Sequence, residues 1–163
     1  MQTNALFSIL FAATASAAAI NDTSKFVYNI SGLTGFCAPD VGHVCGYGFR
    51  VTSSTRPAEP GPICGNIWPT DTVDGTDVFP TTPLTACYED PNFSYAVTVA
   101  DEGFTDGGFT LSVTSALDEK TNLTGSLYFP ATYFTFEPNF LGYTPTYIGP
   151  QNITMTEIVK VVV

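Results

Sequence analysis

Basic side chains are what this chain has least of: 5 Lys and Arg stand against 15 Asp and Glu, and 5 − 15 gives a formal net charge of −10. A nucleic-acid partner has to be neutralised by a basic face, which so few cations cannot build. An anionic membrane surface is disfavoured for the same reason. Histidine is scarcer still. His43 is the only one, so there is no two-histidine metal pair and no second imidazole to divide acid and base duties, which removes most zinc-hydrolase chemistry. A Gly-x-Ser-x-Gly elbow is also missing, and His43, between Gly42 and Val44, reads as an exposed loop residue. Charged residues of both signs make up only 12% of the 163 residues while 44% are apolar, the reverse of a disordered composition. One domain of this length buries roughly two thirds of the surface its unfolded form exposes, so a real core is expected.

Three features point to export. The first 19 residues carry no acid or base, are apolar from Ala5 to Ala13 and end in Ala15-Ser16-Ala17-Ala18-Ala19. They read as a signal peptide cleaved after Ala17 or Ala19, too short in its apolar run for the roughly 20 residues of a membrane span. No later segment reads as a span either. Sequons for N-glycosylation begin at Asn21, Asn29, Asn92, Asn122 and Asn152. Four cysteines, an even number in a secretory setting, predict two disulfides among three possible pairings. Sequential pairing, Cys37 with Cys45 and Cys64 with Cys87, is favoured because it forces no distant segments together. Chain entropy assigns the two loops about 2.6 and about 3.5 kcal/mol. Successive cysteines stand 8, 19 and 23 residues apart, which offers no close thiolate pair for a metal.

Beyond residue 24 the apolar pattern has period two. Phe26, Tyr28 and Ile30 alternate with polar or smaller neighbours, as do Tyr47, Phe49 and Val51, and both runs predict half-buried strands. Phe93, Tyr95, Val97 and Val99 followed by Phe109, Leu111 and Val113 predict a hairpin turning through 101–108. Leu123, Leu127 and Phe129 continue the theme, and a last strand is predicted over 152–163 with Ile153, Met155, Val159 and Val161 on one face. Asn29, Asn92, Asn122 and Asn152 fall on the polar side of their alternations, where a glycan must be. No long window has helical spacing, and Val, Thr, Phe and Tyr stand where helix formers would be needed. The predicted fold is all-β, an antiparallel β-barrel or β-sandwich, as one domain over 20–163.

Two stretches interrupt the pattern. Residues 54–85 carry six prolines, which excludes a central strand across most of the span. Residues 130–150 hold Tyr133, Phe134, Phe136, Phe140, Tyr143 and Tyr147 among further prolines, without clean alternation. Those rings either fill the core under a loop or present a binding surface, and Tyr133, Phe136, Tyr143 and Tyr147, with Trp68, are the candidate ligand- or partner-binding residues.

Other chemistry finds little support. Paired carboxylates would serve a glycoside hydrolase, but Glu59, Glu89, Glu102 and Glu119 lie in predicted turns, leaving Glu137 and Glu157 in aromatic or apolar surroundings. Asp71, Asp74 and Asp77 recur every third residue, unlike the alternate acids of an EF-hand loop, and read as an acidic surface loop. No catalytic residue, metal or cofactor is expected.

The order of elements has a likeness. Phe26-Val27-Tyr28-Asn29-Ile30-Ser31, then Gly46-Tyr47-Gly48-Phe49-Arg50-Val51, Cys64, Cys87 followed by Asn92-Phe93-Ser94-Tyr95, and Phe109-Thr110-Leu111-Ser112-Val113 resemble the fungal major-allergen β-barrel family over about residues 24–115. That family takes in the Alternaria-type allergen and related secreted elicitors of plant defence. The resemblance implies a secreted, non-enzymatic β-barrel that binds small phenolic ligands or host defence proteins at the cell surface or in the apoplast. The chain departs from the family in having no cysteine before Phe26, where the family's dimer-linking disulfide would start, and no cysteine pair after Cys87. The expectation is thus a secreted, extracellular, effector- or allergen-like binder of a small apolar or phenolic ligand or a host protein. The alternatives are a carbohydrate-binding module and a small glycoside hydrolase.

Overall fold

The computed structural model describes residues 25–38, 42–57, 60–69, 72–73, 76–77, 79–99, 108–139 and 142–162. The leader over 1–19, the Asn21 sequon, Glu59, Asp71, Asp74, Glu102, Phe140 and most of the turn over 101–108 lie outside the described residues, as do the side chains of Asp77 and Tyr143. In chain order the strands are β1 (Tyr28–Ala38), β2 (Val44–Ser53), β3 (Ile63–Pro69), β4 (Thr72–Val73), β5 (Thr76–Asp77), β6 (Thr82–Ala86), β7 (Phe93–Val99), β8 (Phe109–Asp118), β9 (Thr121–Phe129), β10 (Phe134–Asn139), β11 (Gly142–Tyr147), β12 (Ile153–Met155) and β13 (Ile158–Val162). The protein is all-β, with one 3-10 turn at Ala131–Tyr133 among the described residues.

Two sheets form. The first has the order β3-β2-β1-β11-β5-β4, with β10 on β11 and β12 on β1; the second has the order β13-β9-β8-β7-β6. Pairing is antiparallel throughout except where Tyr143 of β11 meets Thr76 of β5. The predicted hairpin is β7 with β8, in a register that sets Tyr95 opposite Val113. Period-two alternation holds because each strand has one face on a shared core. Tyr47, Phe49 and Val51 from β2, and Phe93, Tyr95, Val97, Phe109, Leu111 and Val113 from β7 and β8, are all buried. Rings interlock across the gap between the sheets. Phe49 meets Tyr95 edge-on at 5.5 Å between centroids, and Tyr47 stacks on Phe79 at 5.0 Å and tilts onto Phe109 at 5.6 Å. Each such pair adds about 0.5–1.5 kcal/mol to what area burial provides.

Three local events refine the sequence pattern. In β1 the register shifts between Ser31 and Thr34, where Gly32 takes the left-handed backbone at φ 63°. This extra residue reverses parity, so Tyr28 and Ile30 point inward before it and Leu33 and Cys37 after it. The proline-rich span supplies β3, β4, β5 and β6; the two of them that hold a proline, β3 with Pro69 and β6 with Pro83, each stand at an edge of a sheet, where a missing amide costs no ladder bond. The aromatic span forms a hairpin, β10 with β11, that extends the first sheet.

The predicted last strand is a correction. It is two strands in two different sheets: β12 pairs with β1, the chain crosses at Thr156 and Glu157, and β13 pairs with β9. The amide of Ile158 donates to the carbonyl of Thr156 at 3.1 Å, and this tight turn costs one step of alternation. Met155 and Ile158 therefore face the core, whereas Val159 is 58% exposed and Val161 is also exposed.

Both disulfides form as expected, Cys37 with Cys45 and Cys64 with Cys87. The first joins directly opposed residues of β1 and β2. The second ties β3, at the edge of one sheet, to the residue that follows β6, at the edge of the other. Among the described residues no helix is long and apolar enough to cross a membrane.

Candidate functional site: an aromatic cleft at the seam of the sheets

The crossing from β12 to β13 leaves a gap. β13 pairs with β9 only along Thr121 to Gly125, so among the described residues no strand covers the same edge of β9 over 126–129. Gly125 marks where the seam closes, because a Cβ there would fall 2.5 Å from Cδ1 of Ile158 and 3.0 Å from the Tyr28 ring. Beyond that point the sheets part around a cleft of about 320 Å³, walled by Leu127, Tyr128, Tyr133, Pro150, Asn152 and Ile153 over Phe129. A smaller cavity of about 160 Å³ adjoins it through Leu127 and reaches Met155 and Glu157.

Each wall is held from behind. Tyr128 lies on the outward side of β9 with 58% of its surface exposed, and its hydroxyl accepts the amide N–H of Gly108 at 3.1 Å. That bond fixes the ring as a platform beside the cleft. Tyr133, in the 3-10 turn, stands edge-on to both Phe129 and Tyr147, each at 6.4 Å. Tyr147 is buried and its hydroxyl donates to the carbonyl of Pro150 at 2.7 Å, which pins the opposite wall. Burial, helped by the neighbouring Tyr133, pushes the Tyr147 phenol up to about 12, so it remains a neutral donor at physiological pH. The cleft walls carry no charged side chain, and Glu157 is the one carboxylate lining the adjoining cavity.

The candidate residues are thus divided. Tyr133 lines the cleft and Tyr147 supports it from the core. Phe136 packs half-buried against the core, as does Trp68, which lies on β3 at the far edge of the sheet with its ring 6.5 Å from that of Tyr47 on β2. Tyr143 is placed by its backbone in β11. Of the candidate acids, Glu89 pairs with Arg50 at 3.4 Å, and Glu119, Glu137 and Glu157 are exposed. His43 is half-buried at φ 54° in the loop before β2. Among the described residues no three His, Cys, Asp or Glu side chains gather where they would hold a metal.

The sequons keep to the outside: Asn29, Asn92 and Asn152 are exposed and Asn122 is half-buried. Asn92 is organised by Asp90, whose carboxylate accepts both its backbone and side-chain amides, at 2.9 and 2.6 Å. Partial burial pushes the Asp90 carboxyl up, but these bonds and the nearby Arg56 outweigh it and hold the group below the usual carboxylate range.

Tyr128, Leu127 and Ile153 escaped sequence reasoning. Leu127 and Ile153 look like ordinary core positions, and only the divergence of two strands turns them into a wall. Tyr128 did carry a signal, since it is a large ring on the polar side of the alternation Leu127, Phe129. No protein-family model matches the chain and no curated protein matches it, so the functional reading rests on the cleft.

Proposed function

We propose that the protein is an exported, disulfide-bonded binder that takes a small planar ligand of the phenolic class into the cleft between Tyr128 and Tyr133. The observation that carries this reading is the cleft itself, a preformed recess lined by three aromatic side chains, Tyr128, Phe129 and Tyr133, and free of charge on its walls. Its volume, about 320 Å³, lies at the lower end of ligand sites, which suits one or two fused rings. The walls supply stacking and apolar area, the means of holding a ligand rather than transforming it. The net charge of −10 favours neutral or cationic ligands over anions. Two disulfides and exposed sequons support export. Ring contacts that run from one sheet straight to the other support a two-layer sandwich over a closed barrel. The small-ligand reading also keeps to the expectation from the fungal major-allergen family, with an effector role at the host surface as its biological setting.

The test is a fluorescence titration with 2-naphthol, a neutral planar phenol. Saturable binding is expected, weakened about threefold to tenfold by Tyr128→Ala, the worth of one aromatic contact, and unchanged by Leu84→Ala on the exposed surface of β6. Equal binding by the Tyr128 variant would move the site elsewhere. Turnover of a chromogenic glycoside that disappears with Glu157→Gln would replace the binder with a hydrolase.

A further inference from the structure

We propose that Asn152 carries an N-linked glycan whose first sugar packs on the Tyr128 and Tyr133 rings and competes with free ligands for the cleft, an inference that rests on the cleft being the binding site. Two independent features meet at this residue. Asn152-Ile153-Thr154 is a sequon, and Asn152 and Ile153 are also part of the cleft wall. Among the described sequons only this one has its acceptor in that wall. Asn152 is exposed, so a glycan leaves the side chain without displacing the core. The opposite wall offers the Tyr128 ring, held in place through its hydroxyl. The C–H face of a pyranose is apolar and packs on such a ring, while its hydroxyls remain in water. Tethering makes this an intramolecular association, so a weak stacking contact suffices to exclude a free ligand.

The strand pairing says when the sugar is attached. Thr154 stands opposite Asn29 in the β12–β1 ladder, and its hydroxyl donates to Oδ1 of Asn29 at 3.0 Å. In the folded protein the hydroxyl of the sequon is thus engaged and two of its three residues, Ile153 and Thr154, are locked in a ladder. Transfer belongs before β12 joins β1. The donor is an oligosaccharide carried on a lipid diphosphate. Nδ2 of Asn152 bonds to the anomeric carbon, the bond from that carbon to the diphosphate oxygen breaks, the lipid diphosphate leaves with the electron pair, and one amide proton passes to the base of the transferase.

The experiment compares protein from a glycosylating eukaryotic host with its Asn152→Gln and Thr154→Ala variants, the second of which removes the sequon while leaving the Asn152 side chain in the wall. Glycopeptide mass spectrometry reads occupancy, thermal unfolding reads the seating of the sugar, and 2-naphthol reads access. Expected are occupied Asn152, a melting temperature a few degrees higher than in either variant, loss of that difference when Tyr128→Ala is added to both members of the pair, and at least tenfold tighter 2-naphthol binding by both unglycosylated variants. Asn92→Gln, which removes a sequon elsewhere, should bind like the parent. Unoccupied Asn152 overturns the proposal, and so does equal probe affinity with and without the glycan, although the cleft then stands as a ligand site. A Tyr128-dependent melting difference without probe binding in any form upholds the seating of the glycan and removes the phenolic ligand instead.

Discussion

Buried tyrosines show how differently one side chain is used within a single core. The Tyr28 hydroxyl reaches both Oγ of Ser115 and the carbonyl of Leu123, each at 2.8 Å, and so bonds the first strand to the opposite sheet. Tyr47 and Tyr95 are equally buried, yet their hydroxyls have no hydrogen-bond partner among the described residues. Loss of water raises all three phenols above their ordinary value, Tyr95 to about 12. Removing a hydroxyl therefore has opposite consequences at the two kinds of site. Tyr28→Phe should cost about 1–2 kcal/mol because it strands Ser115 and the Leu123 carbonyl, whereas Tyr95→Phe should be neutral or stabilising because it removes a buried group that pays for its desolvation without return. Urea unfolding midpoints decide between them, and a greater loss for Tyr95→Phe than for Tyr28→Phe would contradict this account.

At the level of the strand, parity is what matters, and the β12–β13 crossing is where it can be tested. Ile158 is 3% exposed while its neighbour Val159 is 58% exposed. Ile158→Ala should cost about 2–4 kcal/mol and Val159→Ala less than about 0.5, measured by chemical denaturation; the opposite order would restore the single continuous strand that the sequence predicts. This element shows what sequence could and could not convey. β2, β7 and β8 were legible because each has an unbroken register on one side, β2 with β3 and β7 with β8, and carries its alternate large apolar residues into the core. The bulge at Gly32 and the crossing at Thr156 and Glu157 were not, since parity there changes in answer to partner strands that local alternation does not reveal, as the Thr154 to Asn29 bond, spanning 125 residues, illustrates. The aromatic span was ambiguous for a related reason. Phe134 and Tyr147 serve the core and Tyr133 serves the cleft, three rings in one hairpin and turn with no shared period.

Across the whole molecule the two sheets are fastened at opposite sides by unlike means. Cys64–Cys87 joins β3 to the end of β6, and at the other side the polypeptide itself crosses from β12 to β13 beside the cleft. The covalent tie closes a span of 23 residues and holds two sheets together, while Cys37–Cys45 closes 8 residues within a hairpin already held by its own ladder. Replacing Cys64 and Cys87 by Ser should cost about 3.5 kcal/mol, and replacing Cys37 and Cys45 about 2.6 or less. Comparable urea midpoints for the two double variants would show that the intersheet tie has no special weight. The pairing of β1 with β12 also sets a schedule for biosynthesis. One side of β1 stays open until Met155 has been made, so the first sheet cannot be completed piece by piece as the chain leaves the ribosome. Until residues 142–155 emerge, that edge of β1 keeps its backbone amides and carbonyls unpaired, a template on which a second chain could add a strand in place of this one's own.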